Sequence, residues 1–255
     1  MNDGHSLTDT VDETPDGSLD RPRDRRAKSA MRFARDILLI FLAALLISFL
    51  IKTFLIRSFY IPSESMEQTL VLNDRIIVNE LTPDLVPISR GDVIVFQDPG
   101  NWLQPQPVVE KNPLAAAIDS ALGFVGLSAT DSNDHLIKRV IGLPGDHVIC
   151  CDEFGRLTVN GTALEEPYTQ LKDGFTDASP ETFDIVVPED SLWVMGDNRY
   201  QSADSAYHHA NEPGHEYVPY DDVVGRAFVV SWPLSRWAWL DNYPLVFSDV
   251  EDASN

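Results

Sequence analysis

The sequence predicts a mainly β protein: an antiparallel β-sheet body preceded by one N-terminal transmembrane helix. Three observations predict it. An apolar run of membrane length lies near the amino terminus, and beyond it short β-branched and aromatic runs are separated by Gly, Pro, Asn and Asp. The body shows no regular helix–strand alternation, which disfavours a parallel α/β sheet.

The apolar run is Ile37–Ile56, ILLIFLAALLISFLIKTFLI, 20 residues with Lys52 as the one charged side chain. At about 1.5 Å per residue it spans roughly 30 Å, the hydrocarbon thickness of a bilayer. Lys52 is close enough to the outer end for its stem to reach the interface. A cleavable signal peptide has a shorter apolar region and a small-residue cleavage site, whereas Arg57-Ser58-Phe59-Tyr60 follows here. The run therefore reads as a retained anchor in contact with the lipid bilayer.

Charge orients it. Residues 21–35 carry seven Lys and Arg against Asp24, and this cluster outweighs Lys52 and Arg57 on the far side. The expected topology is single-pass in the cytoplasmic membrane, amino terminus inside and body extracytoplasmic. The expected organisation is a disordered cytoplasmic segment over 1–33, the transmembrane helix over 34–56, a body over 57–240 and an acidic tail over 241–255.

Of the formal charge of −21, residues 1–20 contribute −6 and residues 21–35 contribute +6, leaving −21 on residues 36–255. So acidic a body excludes nucleic acid as a partner, because binding phosphates needs a basic footprint. It would also be repelled by anionic lipid, so membrane contact must be apolar. The two cysteines, Cys150 and Cys151, are neighbours and cannot join distant segments. They read as two small strand residues on opposite faces rather than as a strained vicinal disulfide. No C-x-x-C spacing points to zinc, and no cofactor or metal is expected.

Strands are expected over 75–78, 92–96, 137–141, 147–150, 183–187, 192–195 and 225–231. Leu157-Thr158-Val159 and Thr162-Ala163-Leu164 flank Asn160-Gly161, a hairpin signal because Asn-Gly suits the positive φ of a type I′ turn. Asn160-Gly161-Thr162 also fits a glycosylation pattern, which the turn makes unnecessary. Residues 99–134 read as a surface insertion. Trp232, Trp237 and Trp239 form an aromatic cluster suited to a lipid interface or to a core edge.

Three blocks carry chemistry: Pro62-Ser63-Glu64-Ser65-Met66 just past the anchor, Lys138-Arg139 on a strand-like segment, and Gly196-Asp197-Asn198-Arg199 followed by Ser202. A serine attacking a peptide carbonyl must lose its hydroxyl proton, and a lysine takes that proton only when neutral. With a reference pKa near 10.4, about one lysine in 2,500 is neutral at pH 7; a drop of about three units makes roughly a quarter neutral. Leu136, Ile137, Val140 and Ile141 around Lys138 provide the apolar burial that would cause it.

On these blocks the chain resembles the bacterial type I signal peptidases, membrane-bound serine endopeptidases with a Ser–Lys dyad. The likeness runs from the anchor to about Trp237 through Ile61–Met66, Arg90-Gly91-Asp92-Val93, Ile137–Asp146 and Gly196–Ser205. The resemblance implies that Ser65 is the nucleophile and Lys138 the general base. It implies that Ser63, with the Ser65 N–H, forms the oxyanion hole and that Ser202 orients the lysine amine. Asp197, Arg199 and Asp204 are implied as charged support, and Ile61, Met66, Leu70, Leu136 and Ile137 as walls of shallow substrate pockets. The implied substrates are signal peptides of exported preproteins, with small residues at alternate positions before the cut, in proximity to the secretion translocon. A small β cap over about 147–190 is implied between the base and the last block.

Several residues depart from the family pattern. Glu64 stands where glycine or alanine is frequent, and Gln68 where proline is. Tyr200 replaces the usual aspartate, Gln201 an asparagine, and Ala206 an arginine that pairs with the acid at Asp204, which leaves that supporting ion pair without its cation. Rival readings are a Ser–His–Asp arrangement using His135, His208 or His209, and a metal site on His208, His209, Glu212 and His215. Outside enzymology the chain reads as a catalytically inactive membrane-tethered scaffold of the same fold. A soluble self-cleaving repressor is disfavoured by the anchor and by the lack of a basic DNA-binding module.

Overall fold

The computed structural model describes residues 22–100, 102–103, 134–169 and 171–252. The expected disordered segment up to residue 21, and residues 101 and 104–133 of the insertion expected over 99–134, lie outside the described residues. The chain divides into two units, residues 1–48 and 49–255.

The first unit is built on helix α1, Pro22–Phe54. It begins well ahead of the boundary expected at 34. Its described apolar side chains are exposed, among them Ile37, Leu38, Leu39, Ile40 and Phe41. Among the described residues no helix is long and apolar enough to cross a membrane.

The second unit is mainly antiparallel β. Strands β1 (Ile56–Tyr60), β2 (Arg75–Asn79), β3 (Val93–Gln97), β4 (His135–Gly142), β9 (Ser191–Met195), β10 (Val218–Pro219) and β11 (Val223–Trp232) form the larger sheet in the order β1-β2-β11-β3-β4-β9-β10, and β12 (Ala238–Trp239) adds to β11. The smaller sheet holds β5 (His147–Cys150), β6 (Leu157–Val159), β7 (Thr162–Ala163) and β8 (Phe183–Val186) in the order β7-β6-β5-β8. The anchor was expected to run to Ile56, but that residue opens β1, because five residues there pair with β2. The Asn160-Gly161 turn has φ of 51° and 81°, as a type I′ hairpin needs. The Asn160 side chain donates to Asp146 and to the Glu251 carbonyl, so it is already engaged in folding.

Alternation along the strands builds the core. Phe59, Ile61, Met66, Leu70, Ile76 and Val95 bury together with Ile137 on one side of the large sheet. Ile94, Phe96, Trp102, Val140 and Val194 bury elsewhere in the body, and Ile141, Val148, Leu157, Phe183 and Trp193 join the two sheets. Each such side chain contributes roughly 1.5–3 kcal/mol relative to exposure.

Two expectations are corrected here. Cys150 and Cys151 are joined by a disulfide, and Cys150 packs in the core while Cys151 rests against it. Over its described residues, 241–252, the expected acidic tail is not free, since Phe247 and Val250 are buried against the smaller sheet and Arg90 binds Asp252. The physical reason is that two apolar residues at a helical spacing of three outweigh the acids beside them. The tryptophan cluster lies on the surface rather than at a core edge: Trp232, Trp237 and Trp239 are each more than half exposed.

Candidate active site

Ser65 sits on a closed loop between β1 and β2. The loop ends are tied by Ile61 N–H donating to Asp74 O at 2.9 Å and Asn73 N–H to Ile61 O at 3.1 Å. Inside it the chain coils: Glu67 N–H donates to Glu64 O, and Thr69 and Leu70 N–H both donate to Met66 O. Met66 and Leu70 are fully buried and pin the coil to the core. Gln68 has φ of 94°, a value the proline ring does not allow, so the turn differs from one with proline at that place.

Lys138 comes from the middle of β4, opposite Ile94 of β3. Its Nζ donates to Ser65 Oγ at 2.9 Å and to Ile137 O at 3.1 Å, and the residue is 4% exposed. Burial pushes its pKa down to about 8, against the opposing pull of Asp204 and Asp197. At pH 7 about one lysine in ten of this kind is neutral, hundreds of times more than in water. Ser63 Oγ lies 3.3 Å from Ser65 Oγ on the more exposed side. The hydroxyl thus has an amine on one side and a second hydroxyl on the other, an arrangement able to remove its proton and to donate to a developing oxyanion.

The Gly196–Asn198 turn closes the site from behind. Asn198 N–H donates to Ser65 O at 3.1 Å and Asn198 Nδ2 to Glu64 O at 3.2 Å. A methyl group at Gly196 would collide with both Ser65 O and Ser202 Oγ, so only glycine fits. Ser202 is brought beside this turn, but its buried Oγ has no hydrogen-bond partner among the described residues, so the bond to Lys138 implied by the resemblance is not made.

The charged residues form a buried framework. Asp197 receives Arg139 Nε at 2.9 Å and Nη2 at 2.7 Å, and the Thr69 hydroxyl as well. Arg139 also donates to Gly91 O and lies over the Tyr168 ring at 4.1 Å. Asp204 accepts from Gly196 N–H at 2.9 Å and from Ala206 N–H at 3.1 Å, capping helix α2, Ser205–Asn211. These backbone donors satisfy the carboxylate without a cation at position 206. Arg199 pairs with Glu166, a residue the sequence did not single out.

Pocket walls divide into two groups. Ile61, Leu136 and Ile137 line a cavity of about 20 Å³ together with Phe59, Ile76 and Val95. Room of that size admits about one water-sized group, such as a methyl. Met66 and Leu70 are not among its lining residues. Beside the cavity, β4 pairs with β3 along His135–Arg139, while its pairing with β9 begins only at Arg139. Among the described residues no strand covers the other edge of His135–Lys138.

The histidine alternatives are not assembled. Ser65 Oγ bonds to Lys138 and Ser63 and, among the described residues, to no histidine. His135 pairs with Asp134, and His208 stacks on Trp102 at 4.4 Å. Among the described residues no group of three His, Cys, Asp or Glu side chains is placed to hold a metal ion.

Residues 34–232 match the family described as "Signal peptidase, peptidase S26". The chain belongs to this family. It is 40% identical over 200 residues to a probable signal peptidase I of Mycobacterium leprae, covering 69% of this chain and 68% of that one. A signal peptidase I of Mycobacterium tuberculosis is 35% identical over 245 residues, covering 90% and 81%. A signal peptidase I of Leptolyngbya laminosa is 39% identical over 186 residues, covering 73% of each chain. Membership makes the chain a peptidase of the signal peptidase type, in line with the resemblance read from the four sequence blocks.

Proposed function

We propose that the protein is a membrane-anchored serine endopeptidase that removes signal peptides from exported preproteins, with Ser65 as nucleophile and Lys138 as general base. The observation that carries the reading is the 2.9 Å contact between a fully buried lysine amine and the serine hydroxyl. In the reaction, neutral Lys138 takes the Ser65 proton as Oγ attacks the scissile carbonyl. The Ser63 hydroxyl and the Ser65 N–H steady the oxyanion, and the ammonium then returns its proton to the leaving amine.

The substrate lies extended along the uncovered edge of β4, pairing by its backbone. Side chains then alternate toward and away from the small apolar cavity, which favours small residues at alternate positions before the cut. The apolar run from Ile37 along α1 anchors the chain once through the bilayer, with the amino terminus cytoplasmic and the catalytic body outside. The apolar exposure along α1 supports that reading, as do the exposed tryptophans. Tethering enzyme and precursor in one bilayer, close to the secretion translocon, raises their effective concentration.

The test is cleavage of a preprotein with alanine at the first and third positions before the cut, by the full chain in mild detergent. Wild type cleaves it, while Ser65→Ala and Lys138→Ala remain folded and do not. Substantial turnover by Lys138→Ala would overturn the dyad.

A further inference from the structure

We propose that Glu166, in the segment after β7 of the smaller sheet, is a positioning residue for the Ser65–Lys138 pair, acting through Arg199 on the turn that holds Ser65. The proposal rests on the reading of Ser65 as nucleophile and assigns the smaller sheet a part in the chemistry.

Glu166 and Arg199 are side chains of 4% and 0% exposure, joined by two parallel bonds, Nη1 to Oε2 at 2.8 Å and Nη2 to Oε1 at 2.6 Å. The guanidinium is planar, so fixing two of its nitrogens fixes the third. That third nitrogen, Nε, donates to Gly196 O at 3.1 Å, and Nη1 also donates to Ala178 O at 3.0 Å. Two residues on, Asn198 N–H holds Ser65 O. A line of hydrogen bonds, bridged by the Gly196–Asn198 backbone, therefore runs from the Glu166 carboxylate to the backbone of Ser65.

The same short segment reaches the base. Tyr168 donates its hydroxyl to Glu166 Oε1 at 2.8 Å, and its ring lies against Arg139, the neighbour of Lys138 in the chain and the partner of Asp197. Glu166-Pro167-Tyr168 thus touches both arginines that flank the dyad. A buried guanidinium that loses its carboxylate is driven to find water, and Arg199 cannot do so while its Nε stays on Gly196 O. A displacement of about 1 Å at a reacting atom costs on the order of 10² in rate.

Two features separate positioning from bulk stability and from electrostatics. The carboxylates that act on the Lys138 proton are Asp204 and Asp197, not Glu166. Glu166→Gln, which keeps the shape and removes the charge, should therefore lower kcat about 10- to 100-fold, leave KM within about threefold, and leave the midpoint of the pH–rate profile in place. If Glu166→Gln fails to fold, the apolar replacement Glu166→Met with Arg199→Met removes the uncompensated charge, folds, and shows the same loss of kcat. Preprotein cleavage by the full chain is measured beside Ser65→Ala. Folded Glu166→Gln or the double variant with wild-type kcat, while Ser65→Ala is inactive, overturns the proposal alone; an active Ser65→Ala overturns the nucleophile assignment itself. A shifted pH midpoint in Glu166→Gln overturns positioning in favour of a charge effect on Lys138.

Discussion

Replacing Lys138 with methionine removes an amine that the fold buries in full and leaves a side chain of similar length. The amine's pKa falls from 10.5 to about 8 on folding, chiefly through burial. At 1.36 kcal/mol per unit that displacement corresponds to about 3 kcal/mol of differential cost for the charged form. The sign follows from proton counts: the unfolded lysine holds its proton up to 10.5 and the folded one only up to about 8. The penalty is therefore complete below pH 8 and fades between 8 and 10.5. Lost hydrogen bonds to Ser65 Oγ and Ile137 O return part of it, about 1 kcal/mol each. Lys138→Met is thus expected to be inactive yet more stable than wild type at pH 7, by about 1–2 kcal/mol. By pH 9.5 about 2 kcal/mol of the difference should have disappeared. Urea unfolding of the full chain in mild detergent, at pH 7 and 9.5, measures both numbers. A stability difference that does not change with pH, or cleavage above the Ser65→Ala background, would refute a buried, depressed amine acting as base.

The same depressed amine sets the pH dependence of the wild type: kcat/KM for a preprotein should rise with pH through a midpoint near 8, reaching at pH 7 about one-tenth of its plateau. A flat profile between pH 6 and 9 would contradict it. Ser63→Ala removes the proposed oxyanion donor and should lower kcat by about 10²–10³ while KM changes little, measured on the same substrate. Asp197→Asn leaves Arg139, wholly buried, without its counter-ion and should lower unfolding stability by about 3–5 kcal/mol, read by denaturant midpoint. Gly196→Ala should be folded but inactive, since the added methyl meets Ser65 O and Ser202 Oγ; activity within tenfold of wild type would show that the turn yields.

Much of the strand pattern was legible from short runs of β-branched and apolar residues bounded by turn residues: buried on both faces at Val93–Gln97 and Ser191–Met195, and alternating at His147–Cys150. Val93–Gln97, His147–Cys150 and Ser191–Met195 fall where the β-branched runs stand, and Asn160-Gly161 marked its hairpin through the positive φ it needs. β1 was hidden because Ile56 reads as the last residue of the apolar run and Arg57-Ser58 after it carries no strand signal, so only pairing with β2 reveals it. The two-residue strands β10 and β12 are too short to carry a period. Cys150 and Cys151 were read as strand residues because alternation sends neighbours to opposite faces, and the structure joins them instead.

The sequence by itself determined the family and the order of the functional blocks, and it singled out Ser65 and Lys138 as the candidate pair, since these are local patterns of residue type. Tertiary structure decided what surrounds them. Glu166 meets Arg199 across 33 positions, Thr69 meets Asp197 across 128, and Asp204 finds backbone N–H groups in place of the absent arginine. Such partners leave no periodic trace, because a buried charge needs a partner in space and the chain supplies it from whichever segment the sheets bring alongside.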